Sequence, residues 1–203
     1  MPSLRLGLFG GTFDPPHFGH LIVAQEVVER LSLDRLLFLV AGRPPHKLGE
    51  ILSPSSLRVE MARAAVAGNP SFDVSEIELD REGPTYTVDT LRHFRGTYPD
   101  AELFFLLGAD QLAEFHEWHE PEEIAQLASV VAVGRDGVDP RDLSPVGFDP
   151  GGELIFLSPQ VTRVDISSSE VRDRVKAGRS IQYFVPEAVK QIIETYRLYR
   201  SIS

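Results

Sequence analysis

Short apolar runs alternate along this chain with segments of helical spacing, and that alternation leaves few folds open to it. Leu4–Phe9, Leu36–Val40, Phe72–Leu79, Leu103–Leu107, Val130–Val133 and Leu154–Leu157 read as strands. Leu36–Val40 is a continuous apolar block, as expected of a strand covered on both faces. Between the strands, Leu21–Leu31 puts Leu21, Ala24, Val27, Val28 and Leu31 on one helical face. Ser55–Ala67 is predicted helical and is closed by Gly68, Asn69 and Pro70. Thr87–Phe94, Ser168–Lys176 and Glu187–Tyr199 are further predicted helices, the last with Pro186 near its first turn. Gly42–Pro54 and Arg135–Gly152 are rich in turn residues and read as loops. Strands alternating with helices predict βαβ units and an α/β fold, a parallel sheet with helices on both faces. In such sheets ligands sit beyond the carboxyl ends of the strands. The loops after Phe9, Val40, Leu107 and Leu157 are therefore expected to converge on one edge.

Composition narrows the chemistry. The 203 residues suffice for one sizeable core. A single domain over 1–203 is expected, with a C-terminal helical part at about 166–203. Thirty acidic against 20 basic residues give a net charge of -10, which disfavours broad nucleic-acid binding. No apolar run approaches the ~20 residues of a membrane-spanning helix. The opening MPSLRLGLFGG has one Arg and a short apolar stretch that leads into a Gly turn, unlike a secretory leader. There is no cysteine, so disulfides, thiolate metal sites and a catalytic thiol are excluded. A cytoplasmic location and a small anionic ligand, held by a local island of cations and N–H donors, are the expectations.

Such an island is legible directly after the first strand, in Gly10-Gly11-Thr12-Phe13-Asp14-Pro15-Pro16-His17-Phe18-Gly19-His20. Two glycines allow a tight turn and a close approach of backbone N–H groups to a ligand. The helix that follows points its positive end at the same place, which favours phosphate. His17 and His20, three apart, can face one side, and Gly19 leaves their approach open. The Gly spacing is neither a Walker loop nor the dinucleotide fingerprint. An H-x-x-H pair also chelates metal, but no cysteine or obvious third ligand accompanies it here. The whole string resembles the signature of the H-x-G-H nucleotidyltransferase superfamily, matching it at His17, Gly19 and His20. The resemblance implies a Rossmann-like, doubly wound sheet. It also implies that Gly10, Gly11, Thr12, Phe13 and His20 contact ATP and that both histidines stabilise the transition state.

A second segment, Asp165-Ile166-Ser167-Ser168-Ser169-Glu170-Val171-Arg172, precedes a helix. Serines at a helix start cap free N–H groups, and Arg172, one turn in, can fork onto phosphate oxygens. The segment is similar to the superfamily's I-S-S-T-x-I-R motif, with Ser169 in place of Thr and Val171 in place of Ile. That likeness assigns Ile166, Ser167, Ser168, Ser169 and Arg172 to the ATP phosphates.

The acceptor substrate has to be read from the remaining loops. Pro44-Pro45-His46-Lys47 follows the second strand, and Lys47 is one of three lysines in the chain. Thr85-Tyr86-Thr87 precedes a short helix, Gly108-Ala109-Asp110 follows a buried strand, and Trp118 is the sole tryptophan. Thr87 and Asp110 are plausible helix caps, and Trp118 offers either packing or a flat face for an aromatic ring. Together with Val185-Pro186 and Leu198-Tyr199, these segments resemble the bacterial nicotinate mononucleotide adenylyltransferases over nearly the whole chain. The stretch Asp136–Gly152 matches nothing recognisable. The resemblance implies that ATP and nicotinate mononucleotide are the substrates and that Mg²⁺ is carried mainly on the ATP phosphates without a protein ligand set. It assigns catalysis to His17, His20, Lys47 and Arg172, adenosine contacts to Gly108 and Asp110, and mononucleotide binding to Lys47, Thr87, Trp118 and His119. Acid against amide mononucleotide stays open at this point, as does oligomeric state. The rivals are an adenylyltransferase acting on nicotinamide mononucleotide or phosphopantetheine, a non-catalytic nucleotide-binding regulator, and a metal protein using His17, His20, His116 and His119.

Overall fold

A strand that is apolar at every position needs cover on both faces, and the fold supplies it with two helical layers. The computed structural model describes residues 3–42, 52–81, 83–134, 152–157, 162 and 164–200. In chain order the elements are β1 (Arg5–Gly11), α1 (Phe18–Arg30), β2 (Arg35–Val40), α2 (Ser55–Val66), β3 (Phe72–Ser75), α3 (Thr87–Thr97) and β4 (Glu102–Gly108). There follow α4 (Ala109–Ala113), a 3₁₀ turn (Phe115–Glu117), α5 (Pro121–Leu127), β5 (Ser129–Val133), β6 (Leu154–Phe156), α6 (Ser168–Lys176) and α7 (Glu187–Thr195). The six strands form one sheet in the order β3-β2-β1-β4-β5-β6. Every pairing is parallel.

The pleat sorts the side chains of β4 by parity. Leu103, Phe105 and Leu107 join one core, with Val88, Leu91 and Phe94 of α3 and Ile124 of α5. Phe104 and Leu106 point the other way, to Ala24, Val27 and Val28 of α1 and Val59, Ala62 and Val66 of α2. A third apolar cluster joins Met61 of α2 to Val171 of α6, Ile181, Val185, and Val189 and Ile193 of α7. The C-terminal helices thus pack on α2, beside the sheet and not on it.

All six predicted strands and the five predicted helices are present, with shifted ends. β3 stops at Ser75, short of Leu79, because the chain turns there and Leu79 N–H donates to the Glu76 carbonyl at 2.8 Å. α1 begins three residues before the predicted start, with His17 in the extended N-cap position. α7 ends at Thr195, and Arg197 and Tyr199 take positive φ beyond it. The short α4, 3₁₀ turn and α5 are additions to the predicted set.

The strand order reverses between β1 and β4, the position at which open α/β sheets bind ligands. Phe9 of β1 is in register with Leu106 of β4, so Gly10–Thr12 and Gly108 leave the sheet side by side.

Candidate active site

Two nearby features are built at this switch point: a close-set histidine pair and a cavity. In the first loop, Phe13 adopts a φ of 48° and buries its ring among Phe9, Phe38 and His20. A Cβ on Gly11 would come within 2.9 Å of that ring, so glycine is what lets the turn close over Phe13. The Phe13 ring is thereby committed to the core, and only its main chain can serve a nucleotide. His17 is 1% exposed, and its ring lies 3.7 Å from that of His20, centroid to centroid, inclined by 31°. The His17 N–H donates to Nδ1 of His20 at 3.2 Å. A Cβ on Gly19 would meet the His17 ring at 3.0 Å and the Ile166 carbonyl at 3.5 Å. The missing side chain therefore gives the His17 ring its room, while the segment before α6 lies at ordinary contact distance.

That segment is tied down by side chains predicted to grip phosphate. Ser168 Oγ donates to the Pro15 carbonyl at 2.9 Å, and Arg172 donates through Nη1 to the Asp14 carbonyl at 2.8 Å and through Nη2 to Ser169 Oγ at 3.1 Å. Ser167 caps α6 by accepting from the Glu170 N–H at 3.1 Å. The two histidines, Ile166, the serine run and Arg172 thus form one continuous patch, although some 150 residues separate them in the chain.

Sequence reasoning missed what holds this patch from behind. The Asp14 carboxylate is 1% exposed; it accepts from the Tyr199 hydroxyl at 2.5 Å and from the Ser53 N–H at 2.9 Å. Arg58 is 3% exposed and donates to the carbonyls of Ala41, Thr12 and Ser53 at 2.7, 3.1 and 3.2 Å. Burial pushes the Arg58 guanidinium below its ordinary value, and the Asp14 carboxylate acts in the opposite direction. Burial also drives the Tyr199 hydroxyl far above its usual range, reinforced by the charge of Asp14. A signal for Arg58 was present: it lies three and four positions before Met61 and Ala62, on the apolar face of α2.

On the other side of Gly10–Thr12 opens a cavity of about 490 Å³, lined among others by Thr85, Tyr86, Thr87, Phe105, Trp118 and His119. Trp118 is half-buried, with its indole 5.4 Å from the Phe115 ring and 6.1 Å from Phe105. His119 lies against Tyr86 at 4.5 Å. Thr87 is the first residue of α3, and Tyr86, at its N-cap, makes no side-chain cap. First-turn N–H donors of α3 are therefore presented beside the cavity with the positive end of the helix behind them. Glu78 is the acidic group set deepest in this wall. Burial pushes its carboxyl up from the ordinary 4.5, opposed by hydrogen bonds from Thr90 and the Gly42 N–H and by the charge of Arg81.

Gly108 ends β4, next to but outside the cavity lining, and its N–H donates to Gln111 Oε1 at 3.2 Å. Asp110 is exposed in the first turn of α4. Lys47 lies outside the described residues, as does most of the 136–152 stretch. Among the described residues there is no group of three or more His, Asp or Glu placed to hold a metal ion, and no helix is long and apolar enough to cross a membrane.

Known proteins share both the fold and the sequence. The chain matches the cytidylyltransferase-like family over residues 8–174. It is 49% identical to a protein of Thermus thermophilus named "Probable nicotinate-nucleotide adenylyltransferase", over 97% of this chain and all of that one. It is 45% identical to a protein of the same name from Thermomicrobium roseum, over 98% of this chain and 92% of that one. Its fold superposes on the Plasmodium falciparum nicotinic acid mononucleotide adenylyltransferase complexed with NaAD with a TM-score of 0.76 at 17% identity, covering 96% of this chain and 97% of the other. With a histidine pair, a serine–arginine helix start and a tryptophan-walled cavity gathered at one switch point, and with this identity over nearly its full length, the chain belongs to the nicotinate-nucleotide adenylyltransferase family of cytidylyltransferase-like enzymes.

Proposed function

We infer that the protein transfers the adenylyl group of ATP to nicotinate mononucleotide, giving nicotinate adenine dinucleotide and pyrophosphate in NAD biosynthesis. The observation that carries this reading is the junction of the close-set His17–His20 pair with the start of α6, next to a cavity walled by Trp118 and the first turn of α3. The cavity takes the pyridine ring against Trp118, with its carboxylate on the main-chain N–H groups at Thr87 and His119. The 5′-phosphate of the mononucleotide then attacks the α-phosphorus of ATP in line. A new P–O bond forms, the bond to the β-phosphate oxygen breaks, and pyrophosphate leaves with that electron pair. The nucleophile is already an anion, so no strong base is required. Catalysis rests on positioning and on donors aimed at the charge that develops around the phosphorus.

The direction of one hydrogen bond supports a donor role for His20. Nδ1 accepts from the His17 N–H, so a neutral His20 ring carries its proton on Nε2, which makes that nitrogen a hydrogen-bond donor. Arg172, and Lys47 from the loop after β2, add positive charge in this reading, and Gly108 and Asp110 serve the adenosine half. Mg²⁺, when bound, would be held by the ATP phosphates and would supply neutralisation of part of their charge. Asp14, the acidic side chain nearest the histidines in sequence, is occupied with Tyr199 and Ser53. A cytoplasmic enzyme of small-molecule metabolism is the setting that follows.

The test is a substrate panel with ATP and Mg²⁺ in which nicotinate mononucleotide, nicotinamide mononucleotide and phosphopantetheine are offered separately and pyrophosphate release is followed. Nicotinate mononucleotide is expected to give the highest kcat/KM. Preferential turnover of phosphopantetheine, or no pyrophosphate with any acceptor, overturns the proposal.

A further inference from the structure

The wall that carries Trp118 and His119 is held by a residue that does not line the cavity. His119 is followed by Glu120, which takes a φ of 53° and a ψ of 56° at the N-cap of α5. A left-handed conformation is uncommon for a residue with a side chain, and where it occurs the surroundings must enforce it. Arg92, on α3, holds this residue by its carboxylate. Its guanidinium donates from Nε to Glu123 Oε1 at 2.8 Å, from Nη2 to Glu123 Oε2 at 2.5 Å, from Nη1 to Asp89 Oδ1 at 3.0 Å, and from Nη2 to Glu120. One planar fork thus gathers the carboxylate of the left-handed residue, a carboxylate from the first turn of α5, and one from the first turn of α3. The other oxygen of Glu120 lies 3.7 Å from His119 Nε2. A chain of contacts then runs from Arg92 through Glu120 to His119, and from His119 to the Tyr86 ring at the start of α3. Both walls of the proposed pyridine site, the α3 start and the Trp118–His119 turn, are referenced to the same guanidinium.

We propose that Arg92 is a positioning residue that presets the Trp118–His119 wall for the mononucleotide, by clamping left-handed Glu120 and the start of α5 onto α3. Isolated exposed ion pairs contribute little to stability, but a bidentate fork shared by several carboxylates fixes geometry. Arg92 is 42% exposed, so its removal acts on the arrangement of the wall more than on the fold as a whole. When the wall samples other arrangements, the apparent affinity falls in proportion to the fraction that stays competent.

This inference rests on the mononucleotide reading of the cavity, and its test separates the two. Arg92→Leu is compared with the unaltered enzyme in KM for nicotinate mononucleotide, KM for ATP, kcat, melting temperature and the emission of Trp118, the sole tryptophan. The expected result is a rise of about tenfold in KM for the mononucleotide if the competent wall falls to a tenth of the population. The KM for ATP and kcat should stay within about twofold, and Trp118 emission should move to longer wavelength as the indole gains exposure. Arg92→Lys should recover only part of the loss, because an ammonium cannot fork across three carboxylates. A folded Arg92→Leu enzyme with unchanged mononucleotide KM, or with equal rises for both substrates, overturns the proposal. If Arg92→Leu does not fold, Glu123→Gln, which leaves the cavity lining intact, is held to the same criteria. If the unaltered enzyme turns over no mononucleotide, the function proposed above fails, and unchanged Trp118 emission in Arg92→Leu then decides against the clamp on its own.

Discussion

With its Nδ1 accepting from the His17 N–H, a neutral His20 ring holds one tautomer, and the orientation of its donor is fixed before any substrate arrives. Preorganised donors of this kind contribute about 3–4 kcal/mol of barrier. His20→Ala should therefore lower kcat by roughly 10²–10³ while the protein still melts cooperatively. A purified variant with near-normal turnover would remove His20 from the reaction. Trp118 is a different case, because its expected contact is with one substrate only. Stacking of a flat ring on an aromatic side chain is worth about 1–3 kcal/mol, so Trp118→Ala should raise the KM for nicotinate mononucleotide by roughly 5- to 150-fold and that for ATP far less. Steady-state kinetics with each substrate varied in turn gives the answer, and equal effects on both would exclude stacking on the mononucleotide. The tryptophan and the histidines were legible in the sequence because each has a local signal: one indole in the whole chain, and a string of eleven residues after the first strand. Asp14 sits inside that same string, yet its burial was not legible. Nothing local distinguishes a solvated Asp from one whose partners come from residues 53 and 199.

At the scale of elements, apolar blocks and alternation were enough to find the six strands of the described residues: β2, β4 and β5 are nearly continuous apolar runs, as strands covered on both faces must be, whereas the edge strand β3 alternates apolar with polar. The stretch Ala109–Leu127 was harder. It folds as three pieces of five, three and seven residues, too short for helical spacing to register, and Pro121 is the only punctuation. The end of β3 was misjudged for a related reason: Ile77 and Leu79 continue an apolar pattern, but the chain turns there to set Glu78 inward. Glu78 joins the β3 turn to α3, since Thr90 Oγ1 donates to its carboxylate at 3.0 Å and Arg81 donates to Thr90 Oγ1 at 3.0 Å. Because burial raises its folded-state value above the ordinary 4.5, the folded protein binds the proton more tightly than the unfolded chain. Its contribution to stability is complete below pH 4.5 and is lost as pH rises through the folded value. Glu78→Gln, which keeps an acceptor and removes the charge, should gain melting temperature relative to the unaltered protein as pH is raised from 4.5 toward 7. Thermal melts of both proteins across that range test this, and a constant difference would show that Glu78 does not titrate upward on folding.

Taken as a whole, the molecule completes the histidine–serine–arginine patch by bringing its C-terminal segment back to the first loop. Phe18 N–H donates to the Phe184 carbonyl at 3.0 Å, Ser168 and Arg172 hold the carbonyls of Pro15 and Asp14, and the Tyr199 hydroxyl reaches the Asp14 carboxylate. The last of these explains why α7 stops at Thr195 and gives way to left-handed turns at Arg197 and Tyr199: a continued helix would not present that hydroxyl to the first loop. Hydrogen bonds to charged groups contribute about 1.5–3 kcal/mol, and a buried carboxylate that loses one is left partly desolvated. Tyr199→Phe should therefore lower the melting temperature by roughly 3–12 °C, at about 2–4 °C per kcal/mol for a chain of this size. It should also lower kcat, because the Asp14 backbone that orients Arg172 and leads to His17 loses an anchor. Tyr196, 51% exposed and outside the Asp14 network, is the control: Tyr196→Ser should change stability by no more than about 0.5 kcal/mol. If calorimetry and turnover place Tyr199→Phe beside that control, the C-terminal segment merely covers the first loop, and the histidine pair is organised without it.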